Sequence, residues 1–327
     1  MGDKRDLKRT LVIGDLNVDI IISGMTEFPK LGREILCRDI RTLLGGSASI
    51  FACRLAQLGG RVDIIGKVGK DENGAIVLNT LKSNGVGVDK VIIEDNLKTG
   101  VTVSLTFPEN KALITFIGSI GALEPSDIKT EILNEYDHLH VSSIYLQPKL
   151  LRGLRNIFAE AKRRGLITSL DPQCDPAGKY DSIWDILGFV DIFLPNDSEA
   201  AGITGLASPL EALNVLGMRV KTVVIKCGSG GAVGINGGEV VRVKAFKIEP
   251  VDTTGAGDSF DAGFIYYFVH RDRGFEESIR FANAVGALSC LYVGGAEGKI
   301  TEEETRKFME QHLNSSYPGM TSSRCSQ

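Results

Sequence analysis

Short apolar, β-branched runs alternate along the chain with longer segments of helical period. Leu11–Asp15, Val62–Gly69, His138–Ser142, Leu166–Pro172, Asp191–Asn196 and Lys221–Gly228 are brief, apolar and closed by Gly, Pro or a polar residue, as strands buried on both faces are. Between them, Ser47–Leu58, Gly74–Asn84, Pro148–Arg164 and Pro209–Leu216 carry apolar residues at helical spacing. This alternation predicts an α/β fold with a mostly parallel central sheet and helices on both faces. In such sheets ligands bind beyond the carboxyl ends of the strands.

Two segments break the rhythm. Asp19–Met25 and Glu34–Leu44 form one pair of strand-like runs. Val101–Phe107 and Lys111–Gly118 form a hairpin around the turn Pro108–Glu109–Asn110. They predict a small β layer standing off the body, over roughly residues 17–44 and 98–118. An extra antiparallel edge on the main sheet would satisfy the same periodicity. Residues 1–9 and 315–327 read as loose tails around a single domain.

Composition narrows the field. The chain has 327 residues, 43% hydrophobic and 24% charged, enough to bury a core without disulfide or metal staples. Lys plus Arg number 37 against 41 Asp plus Glu, a net charge of -4, which argues against a nucleic-acid partner. No apolar run approaches the ~18 residues of a membrane span. Six scattered cysteines without a CxxC pair, after a charged start lacking an apolar leader, point to reduced, mostly buried thiols in a cytoplasmic protein. His270–Arg271–Asp272 spells a protein-kinase triplet but lacks its companion motifs, and reads as a solvated helix end. No P-loop and no G-x-G-x-x-G occur. The four histidines show no metal-ligand spacing beyond one i, i+2 pair. Lys162–Arg164 reads as a helix C-terminal cluster.

The sharpest chemistry lies in Asp252–Phe264, DTTGAGDSFDAGF. Phe260, Phe264 and Phe268 recur every fourth position, so a helix begins near Gly257 and buries one face. Thr254–Gly257 therefore opens that helix, where free amides and the dipole make an anion site. Asp258 follows at once. Alone it would be a dipole-complementing acid; beside an anion site it can take a proton from a hydroxyl attacking phosphorus.

This segment resembles the C-terminal signature of the ribokinase-like (PfkB) carbohydrate kinases. Gly45–Gly74 resembles their N-terminal signature and Gly14–Ile20 their substrate-binding first strand. Leu194–Glu199 resembles their Asn-x-x-Glu motif, and Lys226–Ala232 their nucleotide loop. All stand in family order across about residues 11–300. The resemblance implies a ribokinase-like fold whose small β-sheet serves as a lid. It makes Asp258 the catalytic base, with the amides of Gly255, Ala256 and Gly257 as anion hole. At an ordinary carboxylate pKa of about 3.9 that base would be ionised and weak. The resemblance assigns sugar hydroxyls to Asn17 and Asp19, with Gly45 and Gly46 admitting the sugar to the backbone. Asn196, Glu199, Lys226, Gly228, Ser229, Gly231 and Asn283 would bind the nucleotide, with Glu199 holding Mg²⁺ through water. On periodicity alone, Asn196 and Glu199 also make a capping box, and Asn283 could equally be a satisfied helix residue. Asp252 and Thr254 match positions that hold a monovalent cation such as K⁺ in part of the family, with further ligands around Ser289–Gly295. One departure stands out: Ile50 occupies the position of the family's usual Asn, which leaves Ser47 or Ser49 to substitute.

The implied activity is ATP-dependent phosphorylation of a primary hydroxyl on a small sugar such as ribose or fructose, by a homodimer paired through its lid. Ser47–Ala48–Ser49 carries no cation, which disfavours a sugar-phosphate acceptor. A nucleoside acceptor would need a base platform, for which Phe28, Phe107, Phe116 and Tyr145 are available. A non-catalytic sugar or nucleotide sensor on the same fold is the reading from a different class.

Overall fold

The computed structural model describes residues 8–107 and 111–315, without the side chains of residues 313–315; the predicted turn at residues 108–110 lies outside them. The main sheet has eight strands. They are β1 (Arg9–Ile13), β4 (Arg61–Ile65), β9 (His138–Ser142), β10 (Ile167–Asp171), β11 (Ile192–Phe193), β12 (Thr222–Lys226), β13 (Ala232–Asn236) and β14 (Glu239–Val243). Their spatial order is β14-β13-β12-β11-β10-β9-β1-β4. Only the β12–β13 and β13–β14 pairs are antiparallel. The second sheet has the order β3-β2-β7-β8, from β2 (Asn17–Ser23), β3 (Asp39–Gly45), β7 (Gly100–Thr106) and β8 (Lys111–Phe116). A two-stranded ribbon pairs β5 (Lys67–Gly69) with β6 (Ile92–Glu94). The small layer is thus a separate sheet, not an edge of the large one.

Helices α1 (Ser47–Gln57), α2 (Glu72–Ser83), α7 (Ala256–Ile265) and α8 (Phe275–Ser289) lie on one face of the main sheet. Helices α3 (Pro148–Arg163), α4 (Ile183–Leu187), α5 (Asp197–Thr204) and α6 (Pro209–Gly217) lie on the other, and α9 (Glu302–Ser315) closes the described chain. Each face has its own apolar core. Phe51, Phe260, Phe264 and Phe281 anchor the first; Leu154, Phe158, Phe193 and Leu213 anchor the second. After β1 the chain steps outward to β4, then returns to β9 on the opposite side of β1. That reversal opens a crevice at the carboxyl ends of β1 and β9, the place where open α/β sheets take ligands.

Several expectations shift. Val62–Gly69 divides at Gly66 between two sheets, and Glu34–Arg38 stays irregular before β3. Arg9, expected in a loose tail, pairs with Arg61 in β1, and Ser315 ends α9. Of the described cysteines only Cys53 and Cys290 are buried; Cys37 and Cys174 are exposed. His270 is no solvated helix end. It is buried in a π-turn (Tyr266–His270) after α7 and bonds the Thr10 hydroxyl at 2.8 Å through Nε2.

His270 belongs to a buried chain of hydroxyls and imidazoles, Thr10–His138–Ser169–His140–Ser142, with every link at 3.1 Å or less. Burial holds His138 well below the ordinary imidazole value and pushes His140 to about 3 and His270 to about 4. The folded protein therefore keeps them neutral while the unfolded chain takes up protons below about pH 6.5. Each histidine thus stabilises the fold less as pH falls. Buried carboxyls with raised values (Asp19, Asp258, Glu199) act in the opposite direction over much of the same range, so the effect is read as a difference between proteins. His270→Gln should cost stability at pH 7.5, and that cost should shrink by up to about 1.4 kcal/mol per pH unit between 6.5 and 4. Urea unfolding midpoints of both proteins across that range measure it; a pH-independent difference would contradict it.

Candidate active site

The site grows from strand ends. Where β1 ends, the buried carboxylate of Asp15 accepts the amides of Ser47 and Ala48, each at 3.0 Å. It thereby caps α1 and draws Gly45–Gly46 into the crevice. A side chain at Gly45 would place its Cβ 2.0 Å from Asp19 Oδ1. Gly46 holds a φ of 89°, and its Cβ would meet the Asp15 carbonyl at 2.6 Å. The glycine pair is required there by space and by backbone conformation.

The small sheet is two-faced, and register shows how. Asp19 lies opposite Thr102, and Thr102 opposite Thr115, so all three side chains share one face. On it, Asn17 Nδ2 donates to Asp19 Oδ1 at 3.0 Å and to Thr102 Oγ1 at 3.4 Å; the Thr102 and Thr115 hydroxyls are 3.2 Å apart. Lys111 on the same face donates its ammonium to Thr254 Oγ1 at 3.3 Å, so this polar face looks at the start of α7. Burial, then the charge of Asp15, pushes Asp19 up to about 7, against the pull of Lys111. The opposite face is apolar (Val18, Ile20, Ile22, Val103, Ile114, Phe116). Val18 and Leu44 pack into the core beside α2, but Ile40, Ile114 and Phe116, on the edge strands β3 and β8, are more than half exposed. The predicted base platform does not assemble: Phe28 stacks on Phe107, Phe116 faces outward, and Tyr145 packs edge-on against Tyr180.

Helix α7 begins at Gly255, whose φ is 72°. Among the described residues the amides of Gly255 and Gly257 have no hydrogen-bond partner, whereas that of Ala256 sits 3.3 Å from the Thr253 carbonyl. The open amides at this helix start are those of Gly255, Gly257 and Asp258. Asp252 builds the approach: Oδ1 accepts the amide and hydroxyl of Thr254, and Oδ2 the amide of Gly294. Ile50 is buried. Its side chain props Gly255 and Gly295 from behind, so the departure at position 50 supports the anion site. Ser49 is spent on the Asp15 carbonyl, but Ser47 enters the site.

Asp258 is buried at the mouth of the crevice. Its Oδ1 accepts the Ser47 hydroxyl at 2.5 Å and Gln173 Nε2 at 3.1 Å. Burial, then the charge of Asp171, pushes it up to about 7, so it is a stronger base than an ordinary aspartate. Beneath it, Lys226 Nζ donates to Asp171 Oδ2 at 3.0 Å and Asp261 Oδ2 at 2.8 Å. Burial works against charge on both Lys226 and Asp171, yet their mutual attraction prevails: the lysine is raised and the aspartate lowered. Burial carries Asp261 far above the usual carboxylate range. Lys226 lines the cleft described next, but its ammonium is turned inward, 3.6 Å from where a Cβ on Gly257 would sit.

Behind the anion site opens a cleft of 530 Å³. Gly228, Ser229 and Gly231 form its polar lip, while Phe246, Ile248, Pro250 and Ala287 make apolar walls. The 245–250 wall was not singled out from sequence; its only signal is an apolar, Pro-containing run before the glycine segment. Asn283 borders the cleft, but its amide donates to the Val243 and Lys244 carbonyls at 3.4 and 3.3 Å and pins that wall. Asn196 and Glu199 form the capping box: the Asn196 side chain accepts the Glu199 amide, and Glu199 accepts the Asn196 backbone amide, each at 2.8 Å. Burial, then Asp171, pushes Glu199 up to about 8. Four carboxyls (Asp171, Glu199, Asp258, Asp261) thus gather around one lysine, a surplus that suits a hydrated Mg²⁺ arriving with phosphates. The fit to a monovalent cation is poorer, because Lys111 already brings a charge to the Thr254 hydroxyl.

A ribokinase-like fold with this anion site and acid defines a phosphotransferase with an alcohol acceptor. Residues 7–302 match the pfkB family carbohydrate kinases, and the chain belongs to that family. It is 26% identical to a ribokinase of Haemophilus influenzae, over 93% of this chain and 99% of that one. It is 31% identical to an ATP-dependent ribose-1-phosphate kinase of Halopiger xanaduensis, over 94% and 99%. A putative ribokinase II of E. coli, solved with ATP and Mg²⁺, superposes with a TM-score of 0.83 at 25% identity, covering 94% of this chain and 100% of that one.

At Gly255 an alanine would adopt a left-handed backbone and place its Cβ 2.5 Å from the Gly295 Cα. Gly255→Ala should lose at least about 1–2 kcal/mol of stability and about 10²–10³-fold in turnover. Gly178→Ala, equally left-handed but with open space around it, should cost stability alone. Thermal unfolding and sugar-dependent ADP release separate the two effects.

Proposed function

We propose that the chain transfers the γ-phosphoryl group of ATP to a primary hydroxyl of a small, unphosphorylated sugar such as ribose or fructose. One observation carries this reading: Asp258, with one oxygen held by Ser47 and Gln173, stands between open helix-start amides and a hydroxyl-lined β layer. Asn17, Asp19 and Thr102 bind the sugar's other hydroxyls and aim the primary one at Asp258. The adenine lies in the apolar cleft and the phosphates cross the Gly228–Gly231 turn. As the sugar oxygen bonds the γ-phosphorus, the bond to the β-phosphate oxygen breaks, Asp258 takes the hydroxyl proton and ADP leaves. The amides of Gly255 and Gly257 hold the charge on the transferring group. Mg²⁺ would neutralise the nucleotide phosphates, and Asn196 and Glu199 are the residues that would hold it through water.

The small sheet closes over the acceptor as a lid and excludes water that would hydrolyse ATP. The exposed apolar residues of its edge strands (Ile40, Ile114, Phe116) suit pairing with a second copy. Among the described residues no helix is long and apolar enough to cross a membrane, in keeping with a cytoplasmic enzyme. Lys111 favours a second reading, in which the acceptor already bears a phosphate.

ADP release with ribose, fructose, ribose 1-phosphate and adenosine separates the acceptors. Activity on ribose 1-phosphate alone would select the second reading, and on none of the four would favour a sensor. The base must be ionised in the free enzyme, so kcat/KM should fall tenfold per pH unit below about 7, the value to which Asp258 is pushed. Asp258→Asn should lower kcat by about 10²–10⁴-fold while ATP still binds. Wild-type turnover in that variant would remove Asp258 as the base.

A further inference from the structure

The mechanism leaves Gln173 unexplained. It follows β10 with a φ of 58°, in the left-handed region that a side chain seldom occupies without reason. Its Nε2 meets three acceptors, Asp171 Oδ2 at 2.9 Å, Ser47 Oγ at 3.1 Å and Asp258 Oδ1 at 3.1 Å. Its own backbone amide returns to Asp171 Oδ1 at 3.2 Å.

We propose that Gln173 is a positioning residue that sets the hydrogen-bond direction around Asp258, so that Oδ2 of that carboxylate receives the acceptor's proton. The argument runs from Lys226 outward and rests on Asp258 being the base. The ammonium keeps Asp171 ionised, and an ionised carboxylate only accepts. The Gln173 amide must therefore turn its nitrogen, not its oxygen, toward Asp171. That nitrogen has no acceptor capacity, so Ser47 Oγ accepts from it and directs its own proton to Asp258. The amide has two protons for three acceptors, one on Asp171 Oδ2 and the other shared between Ser47 Oγ and Asp258 Oδ1, so Oδ1 receives the Ser47 proton and a share of one from Gln173. A carboxylate oxygen so occupied is the poorer proton acceptor, and Oδ2 is left for the substrate. A serine alone could rotate and accept instead; the amide removes that freedom. Each link is a contact between neighbours, so the direction set at Lys226 passes to the base without any movement of the backbone.

Two variants test this. Gln173→Met keeps the length and removes the donor; Gln173→Gly also removes the donor but suits the left-handed backbone, so it folds even where the methionine does not. The first readout needs no acceptor: ¹³C-carboxyl NMR of ligand-free protein, with the Asp258 signal assigned by its loss in Asp258→Asn. Both variants should raise the Asp258 titration midpoint by about half a pH unit or more, because a lost donor disfavours the carboxylate. The second is turnover with ATP and ribose or fructose, where kcat should fall about 10- to 100-fold with KM for ATP within about twofold. An unchanged Asp258 midpoint in Gln173→Gly, or its wild-type kcat, overturns the proposal. If the wild-type protein phosphorylates neither sugar, the acceptor reading fails while the carboxyl titration still decides the role of Gln173.

Discussion

One buried ammonium organises the catalytic end of this protein. Lys226 leaves the last parallel strand and is held by Asp171 from β10 and Asp261 from α7. Three elements far apart in sequence are tied at a point from which water is excluded. Such a group is costly to bury and tolerable only when its partners are in place, so the same contacts that neutralise the lysine fix the helix start against the sheet. The open amides of Gly255 and Gly257 and the carboxyl of Asp258 inherit their positions from that tie. Burial, and then the charge of Asp171 beside the lysine, raises Asp258 toward neutrality, so its carboxyl binds a proton more tightly than an ordinary aspartate.

A second buried cation works behind the anion site. Arg54 is fully buried in α1, yet among the described residues no carboxylate bonds it. Its guanidinium donates to the carbonyls of Gly295, Glu297 and Gly298 and to the Ser259 hydroxyl, at 3.0 to 3.3 Å. Burial lowers it to about 10, still well above neutral. The planar fork suits several carbonyls at once, and it presses the 294–298 loop against Gly255 with Ile50 packed between. The apolar residue at position 50 and the arginine four residues later, one helical turn on, therefore act on the same loop from one face of α1.

The small sheet divides its labour by side-chain alternation. One face carries Asn17, Asp19, Thr102, Thr115 and Lys111 toward the reaction centre. The other carries isoleucine, valine and phenylalanine, with Val18 buried and Ile40, Ile114 and Phe116 on the edge strands bare. A slip of one residue in either hairpin would exchange these faces, so the polar face turned to α7 and the outer apolar surface depend on one register.

The alternation of short apolar runs and helical segments is a local property, and so is the glycine-rich opening of α7. Both were legible in the chain, and with them the α/β layering, the separate pairs of short strands and the acid at position 258. The limits of β5, the burial of His270 and the inward turn of Lys226 were not. Each depends on what packs against the residue from elsewhere, and a lysine in an apolar strand carries no mark of its counter-ions. Gln173, Asp171 and Arg54 were invisible for the same reason, as was the rise of Asp258 toward neutrality. Periodicity records which way a side chain points along its own element; charge, proton affinity and hydrogen-bond direction are set by neighbours that only folding brings within reach.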